Sequence, residues 1–279
     1  MPDLDLPYFD RILVVLERQP DAGVELGLLH QHWGYFESAD SPDDSVPASV
    51  KASEELTRRI AEAGRVGNGL RILDVGCGFG TAIDYLDRHL SSCELVGLNI
   101  DERQLAVARQ WVKGGSGNEV TFIEGDACRL PFGDREFDVV LAIECIFHFE
   151  SRKRFFGEVS RVLEPGGHLA LSDFLLNSAT FLLFTAWMNS GNAPESQFFG
   201  GSNLPPITPR AYSRLARKTG FCGLVDEDVT ENTMPTYPAL RRLYQAAAWR
   251  DGEQAVDYLE ELARRRFLEY HILAFSSSG

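Results

Sequence analysis

Leu73-Asp74-Val75-Gly76-Cys77-Gly78-Phe79-Gly80-Thr81 is the stretch from which the rest of the chain can be read. A short apolar run leads into glycines at 76, 78 and 80, and a helical pattern opens behind them. Glycines at such a strand-to-helix turn let the backbone bend sharply and approach a ligand with no Cβ in the way. The dinucleotide fingerprint G-x-G-x-x-G is not completed, because counting from Gly76 puts Thr81 where its third glycine belongs. Asp74 also argues against a pyrophosphate, which its carboxylate would repel. An acid there suits a cationic ligand such as an amino-acid ammonium.

Outward from this loop the chain alternates strand and helix. RILDVG (71–76), ELVGLN (94–99), VTFIEG (120–125), FDVVLAI (137–143) and HLALSDF (168–174) are apolar runs. Helical spacing fills Glu102–Val112 and Ser151–Leu163, and Gly223–Val229 and Glu269–Phe275 are two later strand candidates. Apolar strands without polar alternation suit a parallel sheet covered on both faces. The expected fold is α/β: a doubly wound, mostly parallel, seven-stranded Rossmann-like sheet. We expect a helical cover with an aromatic turn over 1–69 and an α/β core over 70–174. An apolar cover insert over 175–208 and completion of the α/β domain over 209–279 follow. Helices are expected near Tyr8–Arg18 and from Pro209.

The formal net charge is −14, and residues 1–50 carry ten Asp or Glu against two Arg. A phosphate backbone calls for a basic face, so nucleic acid is not an expected partner. The five cysteines are scattered without a CxxC pair, which points to a reducing cytoplasm rather than a disulfide scaffold or zinc site. The first residues are acidic where a signal peptide would be basic. The longest uncharged run, Phe174–Pro194, is too short and too polar for a membrane span.

LDVGCGFGT resembles the first motif of the class I S-adenosylmethionine (SAM)-dependent methyltransferases, and further motifs recur in register. They are Gly97-Leu98-Asn99-Ile100, Glu124-Gly125-Asp126-Ala127 with Leu130-Pro131-Phe132, Phe137-Asp138-Val139-Val140, and Leu163-Glu164-Pro165-Gly166-Gly167. The resemblance implies SAM as cofactor. Gly76 and Gly78 would meet the methionine moiety and ribose, with Asp74 balancing charge through the loop. Ile100 would pack on adenine, Asp126 accept from its N6, and the Ala127 amide donate to the ring. The Ile143 carbonyl would receive the ammonium. Where the family's ribose-binding acid is usual, this chain has Asn99. The cyclopropane/mycolic-acid synthase branch places a Gln five residues on, as Gln104 stands here, so Asn99 and Gln104 are assigned jointly to the ribose. His32 and Tyr35, in a turn resembling the segment that closes over the cofactor, would reach the SAM carboxylate.

The protein's own task in methyl transfer is to position a nucleophile and remove its proton. Glu144-Cys145-Ile146-Phe147-His148-Phe149 and Ser172-Asp173-Phe174 resemble segments of the rebeccamycin sugar O-methyltransferase type, which makes His148 the general base and Asp173 its partner. Phe147, Phe181, Phe184, Trp187, Met188 and Phe199 would line a pocket for a small, largely apolar acceptor. The expected activity is natural-product O-methylation, with C- or N-methylation of a lipid-like or aromatic metabolite as alternatives. A SAM-binding protein without turnover is the reading from another class. No carboxylate set for magnesium stands out, so activity is expected to survive a chelator, and a homodimer stays open as the assembly.

Overall fold

The computed structural model describes residues 7–18, 29–38, 45–112, 114–115, 117–189, 207–246 and 249–278, without the side chains of 7–9, 18, 187–189 and 246. Its seven strands are β1 (Arg71–Val75), β2 (Glu94–Asn99), β3 (Glu119–Glu124), β4 (Phe137–Ile143), β5 (Leu163–Leu176), β6 (Phe221–Asp228) and β7 (Leu268–Ser277). They form one sheet in the order β3-β2-β1-β4-β5-β7-β6. The first five are parallel, and β7 runs antiparallel to both β5 and β6.

Ten helices surround it among the described residues: α1 (Pro7–Arg18), α2 (Val46–Ala63), α3 (Thr81–His89), α4 (Glu102–Trp111), α5 (Arg152–Val162), α6 (Phe181–Asn189), α7 (Pro209–Lys218), α8 (Thr230–Thr233), α9 (Thr236–Ala246) and α10 (Arg250–Arg264). None is long and apolar enough to cross a membrane.

Each sheet face has its own apolar layer because side chains alternate along a strand. Ile72, Val139, Leu141 and Ile272 meet Leu56 and Ile60 of α2, Ile83 of α3 and Leu259 of α10. Leu73, Val140, Leu171 and Phe275 meet Phe155, Phe156 and Val159 of α5 and Tyr212 of α7. The sequence reading overlooked α2, whose signals were present. Ser45 caps it through a bond to the Ala48 amide, Pro47 occupies its first turn, and Ala52, Leu56 and Ile60 recur along the buried side.

The apolar cover differs from expectation. Phe181 is exposed at 40%, and Leu182 and Leu183 are exposed further at 78% and 64%. Phe184 is partly buried, 6.1 Å from the Phe267 ring. Among the described side chains of α6, Phe184 thus faces the domain while Phe181, Leu182 and Leu183 face outward, so the described residues do not enclose Phe181. Phe199 and the side chains of Trp187 and Met188 lie outside the described residues.

Candidate active site

The glycine loop leaves β1 at its C-terminal end and is held by β2: the Gly76 and Cys77 amides both donate to the Leu98 carbonyl, at 2.7 and 3.0 Å. Gly76 has φ +72° and Gly78 φ +53°, backbone that favours glycine. A Cβ on Gly76 would also lie 2.6 Å from Cys145 Cβ, so the loop and the end of β4 meet with no room between them.

Asp74, one step below this loop, is 2% exposed, and its Oδ1 is buried with no hydrogen-bond partner among the described residues. Burial raises its carboxyl to about 7. Among the described residues no cation pairs with this carboxyl, and a ligand ammonium would supply one.

The next strand contributes an amide pair. Asn99 Nδ2 donates to Gln104 Oε1 at 3.0 Å, with both residues buried. A Cβ on Gly78 would stand 3.7 Å from that same Gln104 oxygen, which places the pair against the glycine loop. The two residues assigned jointly to the ribose are thus bonded to each other. The bond leaves Asn99 Oδ1 as an acceptor and Gln104 Nε2 as a donor. Ile100 is partly buried beside them. Asp126 is exposed and Ala127 buried. Asp126 Oδ1 accepts from the Cys128 amide at 2.8 Å, which fixes the loop after β3 and leaves Oδ2 outward.

Beyond Ile143 the chain turns sharply at Glu144, whose φ is +50°, and forms a short 3-10 turn over Ile146–His148. The His148 ring packs 4.3 Å from that of Phe147, which in turn lies 6.1 Å from Phe174. Burial lowers His148 to about 4, so the imidazole is neutral at physiological pH.

Asp173 corrects the expected base–partner arrangement. It is fully buried, with Oδ2 accepting from the Tyr212 hydroxyl at 2.7 Å and from Arg152 at 3.4 Å, and Oδ1 accepting from the Phe174 amide. Burial raises its carboxyl, while Arg152, Tyr212 and the Phe174 amide oppose the rise. Its hydrogen-bonding capacity fixes α5 and α7 to the sheet instead of orienting His148. In β5 successive residues point to opposite faces, and position 173 points toward α5 and α7.

The turn at 32–36 is also spent differently from expectation. His32 Nδ1 donates to the Trp33 carbonyl at 3.0 Å, and its Nε2 faces Thr57 of α2. The Arg59 guanidinium stacks 3.7 Å from the centre of the Tyr35 ring. Both side chains thus secure the turn to α2. Sequence reasoning missed what Trp33 does between them: its amide donates to Glu144 Oε2 at 2.9 Å, and its ring meets Phe174, Tyr237 and Tyr270. Burial raises Glu144 to about 8, against the Trp33 and Tyr270 bonds that favour its charge. An acid closing the apolar strand 137–143 was the available signal.

A sheet with this strand order, carrying a glycine loop, a buried acid and an amide pair at adjoining strand ends, defines a nucleotide-cofactor enzyme of the doubly wound class. Residues 73–171 match the family described as methyltransferase domain. The chain is 32% identical to methyltransferase GfsG of Streptomyces halstedii over 81% of its own length and 77% of that protein. It is 30% identical to the 27-O-demethylrifamycin SV methyltransferase of Amycolatopsis mediterranei, over 84% and 82%. Among solved structures, the [4+2]-cyclase SpnF shares the fold, with a TM-score of 0.76 at 24% identity, over 99% of this chain and 96% of that one. The chain belongs to the SAM-dependent methyltransferases that act on small molecules. SAM is its cofactor, and the orphaned Asp74 oxygen and the glycine loop fit it.

Proposed function

We propose that this protein methylates a hydroxyl oxygen of a small, largely apolar natural product, with His148 as general base. The observation that carries the reading is the neutral, partly buried His148 at the C-terminal end of β4, packed on Phe147 beside Phe174. SAM when bound supplies the electrophilic methyl group. Asp74 balances its ammonium, Gly76 and Gly78 give it backbone access, and Asn99 with Gln104 holds the ribose. Asp126 and the Ala127 amide read the adenine, and Ile100 packs on it. Phe147 and Phe174 exclude water where His148 accepts the hydroxyl proton. The relative named for 27-O-demethylrifamycin SV supports oxygen as the atom methylated and a natural product as the acceptor.

The test incubates the protein and SAM with 27-O-demethylrifamycin SV and a panel of hydroxylated polyketides, each beside its deoxy counterpart. Expected is S-adenosylhomocysteine release with hydroxylated members alone, and a rate about 10²–10⁴-fold lower in His148→Ala with unchanged cofactor affinity. Methylation of deoxy acceptors would replace the O-transfer reading by C- or N-transfer. A His148→Ala rate within about threefold of wild type at all pH values would remove the base.

A further inference from the structure

Glu144 is the site residue for which methyl transfer by His148 has no use, and it is the one whose backbone is least comfortable. A side chain at φ +50° occupies the left-handed region that glycine or asparagine normally fills. Such conformations persist where surrounding contacts hold them, and here the contacts are visible. Glu144 Oε2 accepts from the Trp33 amide at 2.9 Å and from the Tyr270 hydroxyl at 2.7 Å. Ser172 Oγ lies 2.9 Å from the Tyr270 oxygen and donates to it, since the tyrosine proton is committed to Glu144. One carboxyl oxygen thus joins the N-terminal turn, the end of β4 and the last strand.

The turn is anchored differently on its other side. The Gly34 amide donates to Thr236 Oγ1 at 3.1 Å, the Tyr35 amide to the Ala52 carbonyl and the Phe36 amide to the Asn232 carbonyl. Those ties reach α2, α8 and α9. Among the described residues, the Trp33–Glu144 bond alone links the turn's backbone to β4. The residue after Glu144 is Cys145, whose Sγ is 3.1 Å from the Val75 carbonyl and whose Cβ leaves no room for a side chain at Gly76. The link therefore ends one residue from the contact that shapes the cofactor loop.

We propose that Glu144 is a positioning residue for the cofactor: through the Trp33 amide it fastens the turn at 32–36 to the end of β4, one residue from the Cys145–Gly76 contact, and so slows cofactor departure. The carboxyl acts through the turn and needs no contact with the cofactor itself. Tyr270 and Ser172 hold the carboxyl in place, while Phe174 and Tyr237 hold the Trp33 ring.

The test uses S-adenosylhomocysteine as probe, with Kd from calorimetry and the dissociation rate from stopped-flow displacement, on wild type, Glu144→Gln and Glu144→Ala. Gln keeps a carbonyl oxygen for both donors and should leave the dissociation rate within about threefold of wild type. Ala orphans two donors; the dissociation rate and Kd should each rise about tenfold or more, with association changed less than about threefold. A merely structural role would lower the melting temperature of Glu144→Ala and leave these rates alone, and rates within about twofold of wild type would overturn the proposal. Hydrogen exchange on the wild-type protein decides the case even where Glu144→Ala fails to fold. S-adenosylhomocysteine should slow exchange of the Trp33 amide, and an unchanged rate would defeat the latch.

Discussion

Asp74→Asn separates what the cofactor site needs from what the fold prefers. The wild-type carboxyl is buried at 2% exposure, and desolvation lifts it from 3.8 to about 7. A displacement of that size corresponds to about 4 kcal/mol between the charged and neutral forms, at ~1.36 kcal/mol per pH unit. An acid with a raised folded value keeps its proton where the unfolded chain has already lost it. The stability it contributes is therefore fully present below pH 3.8 and is lost as pH rises to about 7. Between pH 5 and pH 8 that loss amounts to about 2–3 kcal/mol, and asparagine, which does not titrate, escapes it. Urea denaturation of wild type and variant at the two pH values measures the difference directly. Cofactor affinity should move the opposite way. Losing a carboxylate for the ammonium should weaken S-adenosylhomocysteine about tenfold or more. If the two proteins show parallel stability curves within about 0.5 kcal/mol and equal affinity, the assignment of Asp74 as a costly counter-charge is wrong.

Two further substitutions address the loop and the ribose. Gln104→Ala removes the partner of the Asn99 amide and a ribose donor together, so S-adenosylhomocysteine affinity should fall about 10- to 100-fold; unchanged calorimetry would return ribose binding to Asn99 alone. Gly76→Ala must hold a side chain at φ +72° with its Cβ 2.6 Å from Cys145 Cβ. A thermal melt should show a destabilisation of about 1–3 kcal/mol, and a native-like melt would mean that Cys145 yields freely.

The parts of the molecule legible in the sequence are those governed by short-range rules. Strand β4 falls on Phe137–Ile143 as read, because the apolar run Val139–Ile143, bounded by Asp138 and Glu144, has few other ways to be buried. Gln104 stands out in the sequence through resemblance to the cyclopropane/mycolic-acid synthase branch, and the structure adds its bond to Asn99. Asp101 caps α4, and that cap sets the helix phase that turns Gln104 back toward β2. What escaped depends on which distant segments meet. The sequence ends this strand at Phe174 and β5 runs on to Leu176; Asp173 lies inside it, its partners Tyr212 and Arg152 arrive on two helices, and the sheet face it points to decides between them and His148. His32 and Tyr35 were recognised as a turn without α2 beneath them, and α2 is what occupies their side chains. The Trp33–Glu144 bond spans 111 residues and runs through a backbone amide, for which no side-chain pattern in the sequence stands.

Strand β7 lies between β5 and β6, and among the described residues β6 pairs with no other strand. During synthesis, β6 therefore leaves the ribosome with nowhere to bond until residues 268–277 follow it. The half of the sheet that carries the glycine loop can assemble earlier from neighbours close in sequence. Tyr270 and its grip on Glu144 come with that last strand, so the nascent chain can shape a cofactor pocket well before it can close one. Translation pauses between β6 and β7 would expose the unpaired edge of β5 and prolong the interval in which the growing chain is open to misassembly.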